Sequence, residues 1–514
     1  MSELLESQLW EWYEYPAFRP GQKEIIQDVL KRNDVLAVLP TGTGKTLCYQ
    51  FPSRLLPGIT VVVSPLLSLM EDQVHQLKAY GEKGAVALNS HVPINDRNRI
   101  VSTLTNRSLL YVSPEMLQNE WLQSALHMRT VGLFVVDEAH CISQWGHEFR
   151  TDYLKLADVR KKLNNPPCLA LTATATKNVQ DDIVKHLCLA NVRKHLYSVD
   201  RPNIALHVSK VTSDSEKKEQ LVNVVKNLKK PGVIYTGTRL EAESVATLIS
   251  QSNVKAAFYH GGMTKEDRLL VQQQFIRDEL DIVCCTNAFG MGINKENVHF
   301  VIHYHLPQSV EHYVQEIGRA GRGGEQSLAL LIYQEEDRFL PLSFIDREVP
   351  VKEELEGFFY YFQSLKQTGQ TQLPFEEFAI TFRLEETQKR LLYFHFERLS
   401  ILEGNSISLQ RIDDSCKKEL EVRFKQRQNE KRNQFLRLET LLNSERECLR
   451  KGVLVYFDEE LAPFSGPCCS TCGSRPEDFY TNVTNEGDEK KRPASWEKLL
   501  IEILHQGEKQ RDKE

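Results

Sequence analysis

From about residue 20 to residue 200, short runs of β-branched and other apolar residues alternate with helical patterns. Polar or turn-forming residues follow each run, which is typical of strands that are buried on both faces of a parallel sheet. The runs lie at residues 35–39, 59–63, 108–112, 133–136 and 168–171. This alternation predicts a parallel α/β lobe over residues 1–203.

The pattern restarts after the segment Asp-Arg-Pro-Asn at residues 200–203. New buried runs lie at residues 232–235, 256–259, 282–284, 300–303 and 327–332. A second parallel-sheet lobe is therefore predicted over residues 204–342. In open parallel sheets, ligands bind in the crevice beyond the carboxyl ends of the strands, so we expect the functional site there.

After residue 342 the strand pattern gives way to helices. Helices are favoured at residues 351–367, 374–382 and 385–399, and a small β-ribbon at residues 401–409. Three helices followed by a ribbon are typical of a winged helix-turn-helix, which we predict over residues 343–412. A long charged helical stretch at residues 413–457 predicts a hairpin, and residues 476–514 predict a polar tail with one short amphipathic helix at residues 496–504.

Two basic segments of this region are candidate DNA contacts. Residues 385–399 form the candidate recognition helix, which carries Lys389, Arg390 and Arg398. Packing of this helix without any DNA contact is an equal alternative. Residues 417–432 have more basic than acidic side chains and could follow phosphates, but a solvated hairpin face explains them as well.

Composition narrows the class of protein. The chain has 514 residues, of which 41% are hydrophobic and 26% charged, and this indicates a globular protein of several domains. The net charge of −6 gives no global sign of nucleic-acid binding, so any basic surface must be local. No apolar run approaches 18 residues and no signal peptide opens the chain, so we expect no membrane and a cytoplasmic location.

A glycine-rich loop follows the first predicted strand. Gly42 and Gly44 allow backbone N–H groups to turn inward around phosphate oxygens. Lys45 would reach the β- and γ-phosphates, and the Thr46 hydroxyl would ligate Mg²⁺. The loop residues predicted to surround the nucleotide are Thr41, Gly42, Thr43, Gly44, Lys45 and Thr46. The alternative is a glycine-rich turn with a chance Gly-Lys-Thr, because Leu39 stands where the strict motif has glycine.

Asp137 and Glu138 lie just beyond another buried strand. Asp137 is placed to hold Mg²⁺ directly or through water, and Glu138 could polarise the attacking water. Paired acids are often only a solvated turn, but their position in the same lobe favours the catalytic interpretation. Together with the glycine-rich loop, they predict an enzyme that hydrolyses ATP with Mg²⁺.

The second lobe supplies positive charge for the same reaction. Gln315, Arg319 and Arg322 form a short motif, and the spacing of three puts both arginines on one helix-like face. Arginines stabilise the charge that develops on the γ-phosphate during phosphoryl transfer. The alternative is an ordinary surface arginine pair. If both lobes contribute to one site, hydrolysis requires the cleft between them to close.

These motifs resemble the RecQ family of superfamily-2 DNA helicases over residues 12 to about 340. The resemblance implies that Tyr15 and Arg19 stack around the adenine and that Gln22 bonds its edge. It also covers residues 63–66, 137–140, 171–176 and 288–295. Asn294 stands where the family usually has aspartate, which is a departure from its pattern.

The segment at residues 141–150 resembles the aromatic-rich loop by which RecQ enzymes couple DNA contact to ATP hydrolysis. Aromatic rings offer stacking surfaces for bases, and an arginine can contact a phosphate or a ring. The residues implied are Ser143, Gln144, Trp145, His147, Phe149 and Arg150. A role of the two large aromatics in core packing is the alternative.

Four of the 11 cysteines are grouped near the end of the chain. They are Cys448, Cys468, Cys469 and Cys472. Two separate thiolates and a Cys-x-x-Cys pair suit a tetrahedral structural zinc site, and the family typically has a zinc-binding hairpin, here residues 413–475. The adjacent pair is tighter than the family spacing. A reduced thiol cluster, or Cys416 in place of one ligand, is the alternative.

The resemblance implies two tandem recombinase-like P-loop NTPase lobes followed by a mostly helical region with a winged-helix-like module and a zinc hairpin. It implies an ATP-dependent DNA helicase that moves 3′ to 5′ on single-stranded DNA and unwinds duplex or branched DNA in recombination, repair or replication restart. Single-strand-binding and recombination proteins are candidate partners. The alternatives are an RNA helicase of the same superfamily and a non-enzymatic nucleic-acid clamp or annealing factor.

Overall fold

The computed structural model describes residues 2–65, 67–79, 81–89, 92–143, 150–289, 295–444 and 446–481. Every described helix and strand lies in the compact unit that ends at Phe479. The predicted helix at residues 496–504 lies outside the described residues. None of the described helices is long and apolar enough to cross a membrane.

The first lobe is a parallel sheet with the strand order β3-β4-β2-β5-β6-β1-β7. Its strands are β1 (Val35–Val38), β2 (Ile59–Val63), β3 (Ala85–Leu88), β4 (Leu109–Val112), β5 (Val131–Val136), β6 (Cys168–Thr172) and β7 (Arg193–Leu196). The five predicted runs form the strands between the two edges, and each of these is buried along its whole length. The edge strands β3 and β7 escaped prediction because they are short and partly exposed.

Helices cover both faces of this sheet. They are α1 (Ser2–Tyr13), α2 (Gln22–Leu30), α3 (Leu47–Ser53), α4 (Leu67–Ala79), α5 (Ile94–Ser102), α6 (Pro114–Leu117), α7 (Glu120–His127), α8 (Leu156–Lys162) and α9 (Lys177–His186). Two short 3₁₀ helices, Ala139–Ile142 and Thr151–Lys155, follow β5. One apolar cluster packs against each face, as expected of a parallel sheet that helices enclose.

The second lobe is also parallel, with the order β10-β11-β9-β12-β13-β8. Its strands are β8 (Ile204–Lys210), β9 (Gly232–Tyr235), β10 (Ala256–Tyr259), β11 (Ile282–Cys285), β12 (Phe300–His303) and β13 (Ser327–Tyr333). Its helices are α10 (Asp214–Asn227), α11 (Arg239–Ser250), α12 (Lys265–Ile276), α13 (Val310–Ile317) and α14 (Phe339–Arg347). The predicted fold class of two parallel-sheet lobes is therefore confirmed.

Side-chain caps determine where the helices of the second lobe begin. Ser213, Thr238, Thr264 and Ser309 each accept a hydrogen bond from the backbone N–H three residues on. The cap at Ser309 starts α13, which ends at Ile317. The paired arginines therefore lie in the turns that follow α13, and not on the helix-like face that their spacing suggests.

Three helices and a small antiparallel sheet follow the two lobes. They are α15 (Lys352–Gln367), β14 (Gln372–Pro374), α16 (Phe375–Thr381), α17 (Glu386–Arg398), β15 (Leu402–Glu403) and β16 (Ser406–Ser408). The sheet order is β14-β16-β15, and buried phenylalanines dominate the core beneath it. The element order is that of a winged helix, with β14 as a strand that the pattern did not predict.

The hairpin that follows consists of α18 (Asp414–Leu442) and α19 (Leu449–Tyr456). At 1.5 Å per residue, the 29 residues of α18 span about 43 Å. Leu420 and Phe424 in its first half belong to the core of the winged-helix-like module. Phe435 and Leu438 in its second half belong to the core of the second lobe. One helix therefore fixes both modules.

Candidate nucleotide cleft and cysteine cluster

The glycine-rich loop connects the carboxyl end of β1 to α3. Gly42 and Gly44 have φ angles of 84° and 76°, a left-handed conformation that glycine adopts without steric cost. The Thr43 hydroxyl donates to Pro40 O at 2.8 Å. Lys45 and Thr46 immediately precede α3, and among the described hydrogen bonds the backbone N–H groups of Gly44, Lys45 and Thr46 are not donors, so they are available to an anion. The local fold therefore has the form that phosphate binding requires.

Gln22 and Arg19 support this loop from behind. Gln22 Nε2 donates to Thr43 O at 2.8 Å and to Gly44 O at 3.1 Å, and its Oε1 accepts from Arg19 N at 2.9 Å. Arg19 Nη1 donates to Gly42 O at 2.6 Å. Contacts of these residues with a base stay predictions. Tyr15, which is half exposed, lies 6.1 Å from the Tyr13 ring in a stacked arrangement.

Asp137 and Glu138 are buried at the carboxyl end of β5. Glu138 has a φ of 47°, a left-handed angle that is uncommon for a non-glycine residue. Its backbone N–H donates to Asp137 Oδ1 at 3.0 Å. Burial and the neighbouring Glu138 charge raise the pKa of Asp137 to about 7. Burial alone would raise the pKa of Glu138, but the charges of Lys45, His140 and Arg319 lower it.

His140 connects these acids to β6. Its Nδ1 lies 2.9 Å from the Thr172 hydroxyl and 3.4 Å from Glu138 Oε2. Burial lowers the pKa of His140 to about 4, so the ring is neutral near pH 7. Because the Thr172 hydroxyl donates to Thr174 O at 3.0 Å, the neutral His140 ring donates from Nδ1. Sequence reasoning gave no role to Thr172, although it lies in one of the family segments.

Arginines of the second lobe lie against this site. Arg319 is buried, and its Nε donates to the Tyr235 hydroxyl at 2.5 Å. A Cβ atom added to Gly42 would lie 3.0 Å from Arg322 Cγ, so Arg322 touches the glycine-rich loop. Burial and the positive charges of Arg319 and Arg201 lower the pKa of Arg322 to about 9. Gln315 is buried on α13. The predicted residues of the two lobes thus meet in one cleft.

The contacts that close the cleft were not predicted. The Thr41 hydroxyl donates to Gly318 O at 3.1 Å, and a Cβ atom on Gly318 would lie only 1.9 Å from Thr41 Oγ1. Arg201 Nη1 donates to Thr41 O at 2.9 Å, and its Nη2 donates to Gly321 O at 2.6 Å. Asn203 Nδ2 also donates to Gly321 O, at 2.8 Å. In the sequence, residues 200–203 marked only a boundary between lobes.

The two ends of the predicted DNA-coupling loop are joined just beyond the acids. Arg150 N donates to Cys141 O at 2.8 Å, and Arg150 Nη1 donates to Pro65 O at 3.1 Å. The Ser143 hydroxyl donates to Asp182 Oδ2 at 2.6 Å. The other predicted coupling residues lie outside the described residues: Gln144, Trp145, His147 and Phe149. Asn294 lies outside them too.

The four predicted cysteines come together. Their Sγ atoms all lie within 4.8 Å of one another. Cys448 Sγ is 3.5 Å from Cys468 Sγ and 3.8 Å from Cys469 Sγ. Zinc–thiolate bonds of about 2.3 Å in a tetrahedron require sulfur atoms roughly 3.8 Å apart, so the donor set fits zinc. Cys416 is not in the group, and its Sγ lies 3.7 Å from Arg411 O.

Many basic side chains in the two candidate DNA-contact segments, residues 385–399 and 417–432, form ion pairs with acidic side chains. On α17, Lys389 pairs with Glu376 at 2.6 Å, and Arg390 pairs with Glu386 at 2.9 Å. On α18, Arg432 pairs with Asp346 at 2.7 Å. The other paired residues of residues 417–432 are Lys417 with Glu421, Arg423 with Glu419, and Arg427 with Glu348. Arg427 and Arg432 thus bind residues at the end of the second lobe. The pairs within α18 and the exposed Lys418 and Lys425 fit the alternative of a solvated hairpin face.

Comparison with known proteins follows the same division of the chain. Residues 19–182 match the model of the DEAD/DEAH box helicase family, and residues 216–324 match that of the helicase conserved C-terminal domain. The chain is 43% identical over 507 residues to a probable ATP-dependent DNA helicase, RecS, of Bacillus subtilis, covering 97% of this chain and 98% of that protein.

Other relatives match mainly the two lobes. The chain is 43% identical over 325 residues to the ATP-dependent DNA helicase RecQ of Haemophilus influenzae, which covers 63% of this chain and 52% of that protein. Among solved structures, the Mycobacterium smegmatis helicase Lhr bound to single-stranded DNA and AMP-PNP has a TM-score of 0.55. It is 19% identical, covering 82% of this chain and 61% of that chain, and this likeness shows the fold alone.

Proposed function

The chain belongs to the RecQ family of superfamily-2 DNA helicases, and from this premise we propose that it uses ATP hydrolysis to move 3′ to 5′ along single-stranded DNA and to unwind duplex or branched DNA. One observation carries the proposal. The glycine-rich loop and acid pair of the first lobe meet buried arginines of the second lobe in one cleft. The family resemblance supplies the polarity and the DNA substrates.

The geometry supports a distinct role for each group in hydrolysis. Backbone N–H groups of residues 42–46 and the Lys45 ammonium bind the phosphates of ATP. Thr46 and Asp137 would hold Mg²⁺, which supplies positive charge to the phosphate oxygens. A carboxylate and a hydroxyl suit this hard cation, and the raised pKa of Asp137 is the expected sign of a carboxylate that a cation would stabilise. Glu138 orients the attacking water and accepts its proton.

Arg319 and Arg322 stabilise the charge that develops on the γ-phosphate. The lowered pKa of Arg322, with its causes in burial and in two neighbouring arginines, supports this assignment. Positive groups crowded together out of water favour an anion among them. Since these arginines belong to the second lobe, ATP would stabilise the closed cleft and loss of the γ-phosphate would release it. Repeated closure and opening would move the strand past the lobes.

DNA contact would reach this cycle through residues 143–150. Cys141 O and Arg150 N join the two ends of this loop beside the 3₁₀ helix that follows Glu138. A strand stacked on Trp145 or Phe149 would therefore act close to the catalytic acids. We further propose that the cysteine cluster binds one structural zinc ion.

We propose a cytoplasmic protein whose macromolecular substrates are single-stranded, duplex and branched DNA. Recombination, repair or replication restart is the proposed setting. Single-strand-binding and recombination proteins are its proposed partners. Stimulation of ATP hydrolysis by single-stranded DNA and not by RNA of the same sequence is the expected result. Stimulation by RNA alone would favour the RNA helicase alternative.

Lys45→Ala tests the enzymatic role. ATP hydrolysis and unwinding should both fall by about 100-fold or more, while single-stranded DNA binding measured by fluorescence anisotropy stays within about threefold. Lys31→Ala, an exposed lysine of the same lobe, is the matched control and should behave like the wild type. Unwinding by Lys45→Ala at the wild-type rate would favour a non-enzymatic clamp. A duplex with a 3′ tail should be unwound, and one with a 5′ tail should not.

Metal analysis of the purified protein tests the zinc proposal. One zinc ion per chain is expected, and Cys472→Ser should lower this content and the melting temperature. Cys416→Ser is the matched control, because its thiol lies outside the group, and it should keep the metal. Protein that folds without stoichiometric metal would contradict the proposal.

A further inference from the structure

The linker between the lobes, residues 197–203, contains an arginine, Arg201, that contacts both halves of the ATP cleft. We propose that Arg201 is a positioning residue that fixes the glycine-rich loop relative to the segment that carries Arg319 and Arg322. Arg450 lies on α19, in the hairpin that α18, α19 and the four cysteines form (the cysteine-cluster hairpin), and it holds Arg201 in place. The inference rests on the proposed ATP hydrolysis. It assigns to the linker a function in the reaction beyond that of joining two lobes.

The Arg201 guanidinium bonds only backbone carbonyls in the contacts described. Nη1 donates to Thr41 O at 2.9 Å and to Gly318 O at 3.3 Å. Nη2 donates to Gly321 O at 2.6 Å and to Ala320 O at 3.3 Å. One planar fork therefore joins the first lobe to the second. Lysine could not reproduce this arrangement, because its ammonium is a single point of charge.

The positions of these acceptors explain what the fork positions. Thr41 immediately precedes Gly42 of the glycine-rich loop. Gly318 and Ala320 flank Arg319, and Gly321 immediately precedes Arg322. Arg201 thus fixes the backbone on both sides of Arg319 and immediately before Arg322, without occupying the guanidinium group of either arginine. Its removal should disturb the placement of Arg319 and Arg322 and leave their chemistry intact.

The cysteine-cluster hairpin also binds the linker, through the side chain of Arg450. Arg450, two residues after Cys448, is 2% exposed and donates from Nη1 to Asp200 Oδ1 at 2.6 Å and to Arg201 O at 3.0 Å. Its Nη2 donates to Ile204 O and, at 3.4 Å, to Cys468 O. One buried side chain of the hairpin therefore binds the Asp200 carboxylate and the main-chain carbonyls of Arg201 and Ile204.

A second contact ties the same segment to the cysteines. Leu206 N donates to Cys468 O at 3.0 Å, where β8 and Cys469 form an isolated parallel bridge. Continuous hydrogen bonds consequently run from Cys468 through Arg450 and Arg201 to Thr41 and Gly318. Such a path becomes evidence of coupling only when changes at its two ends prove non-additive.

The first test separates positioning from nucleotide binding. Arg201→Ala and Arg201→Lys should each lower kcat for DNA-stimulated ATP hydrolysis by about tenfold or more, with Kd for a fluorescent ADP analogue within about threefold of the wild type. In hydrogen–deuterium exchange, addition of AMP-PNP should protect residues 317–322 less in both variants. Arg193→Ala, an exposed arginine on edge strand β7, is the matched control.

Each outcome of this test is informative. A wild-type kcat in both Arg201 variants would overturn the inference and leave the proposed ATP hydrolysis standing. Absence of hydrolysis in the wild type would overturn the proposed function instead. If Arg201→Ala folds poorly by circular dichroism, Arg201→Lys decides, because it keeps the charge and most of the side-chain volume.

The second test addresses Arg450. Arg450→Ala, in protein whose metal content is unchanged, should lower kcat by about as much as Arg201→Ala. The double variant should be no slower than the worse single variant, because both changes break the same path. Lys451→Ala, an exposed neighbour on α19, is the control. Effects that multiply, or a wild-type kcat in Arg450→Ala with its metal retained, would contradict a path through Arg450.

Discussion

Two regions of the molecule hold other modules against the first lobe, and they are built differently. At the cleft, the partly buried guanidinium of Arg201 and the Thr41 hydroxyl donate to backbone carbonyls of both lobes. At the winged-helix-like module, Lys155 of the first lobe pairs with Glu397 of α17 at 2.7 Å. These two side chains are 35% and 44% exposed. The contacts at the cleft are made to main-chain carbonyls, whereas this contact at the winged-helix-like module is made between exposed side chains.

The difference indicates that the relative position of the two lobes is fixed more firmly than that of the winged-helix-like module. A backbone carbonyl moves only when its element moves, so bonds to it fix one element relative to another. An exposed ion pair can rotate, is screened by salt and contributes at most about 1 kcal/mol. Exposed pairs also lie across the cleft, such as Arg19 with Glu296 at 3.6 Å. The hydrogen bonds at the centre of the cleft therefore fix the relative position of the two lobes, and the ion pair at α17 should break readily.

The largest effect should follow from adding one methyl group at the centre of the cleft. Gly318→Ala would place Cβ 1.9 Å from Thr41 Oγ1. The φ of Gly318 is −61°, which alanine adopts freely, so steric contact alone causes the effect. We expect kcat for DNA-stimulated ATP hydrolysis to fall by about 100-fold, because a displacement of 1 Å at an active site has effects of this size.

Thr41→Ala should partly restore kcat in the Gly318→Ala background, since it removes the hydroxyl that the new methyl group meets. Gly357→Ala on α15 is the matched control. A Cβ atom there would have its nearest neighbour at 3.9 Å. Near-wild-type kcat in Gly318→Ala would show that the cleft does not work in this closed arrangement.

A smaller effect should distinguish backbone strain from contact with Arg322. Gly42 and Gly81 have φ angles of 84° and 87°, so alanine at either position costs about 1–2 kcal/mol of stability. Only at Gly42 would the added Cβ approach Arg322 Cγ, at 3.0 Å, whereas nothing lies within 4 Å at Gly81. We expect both variants to melt earlier and Gly42→Ala alone to lose about tenfold in kcat. Equal kcat values would rule out the contact.

Acid should weaken the core of the winged-helix-like module. Burial, followed by the nearby charges of Arg423, Arg398 and Arg427, lowers the pKa of His395 from its ordinary 6.5 to about 4, against the opposite effect of Glu419. Between pH 6.5 and about pH 4, His395 therefore binds a proton in the unfolded chain but not in the folded chain. The contribution of neutral His395 is complete above pH 6.5 and is lost as the pH falls toward 4.

At pH 5 this single group should reduce the free energy of unfolding by about 2 kcal/mol relative to pH 7. Urea unfolding at the two pH values measures the loss. Other buried histidines contribute to the wild-type value, so His395→Gln is the comparison, and its loss between pH 7 and pH 5 should be smaller by about this amount. An identical loss in both proteins would mean that His395 is protonated in the folded state.

The sequence predicted the lobes well because buried parallel strands have a distinctive pattern, as in residues 59–63 and 300–303. It also grouped the four cysteines that the fold brings together. It could not predict the closing contacts of Arg201, because their acceptors are backbone carbonyls that any residue supplies. It missed two contacts of α18 for a related reason, since Arg427 and Arg432 bind Glu348 and Asp346, which lie 79 and 86 positions away in the sequence.

The smallest effect should occur at the contact between the first lobe and α17. Lys155→Ala should change the free energy of unfolding by less than about 1 kcal/mol and leave kcat unaffected, because the pair with Glu397 is exposed. Hydrogen–deuterium exchange of the α17 amides should nevertheless be faster in this variant than in the wild type at low salt. At 0.5 M salt, where the electrostatic screening length is only about 4 Å, the two proteins should exchange alike. The double change Lys155→Glu/Glu397→Lys should restore the wild-type exchange. A loss of kcat comparable with that of Gly42→Ala would remove the contrast between the two regions. It would show that the exposed pair fixes the geometry of the ATP cleft, as the hydrogen bonds of Arg201 do.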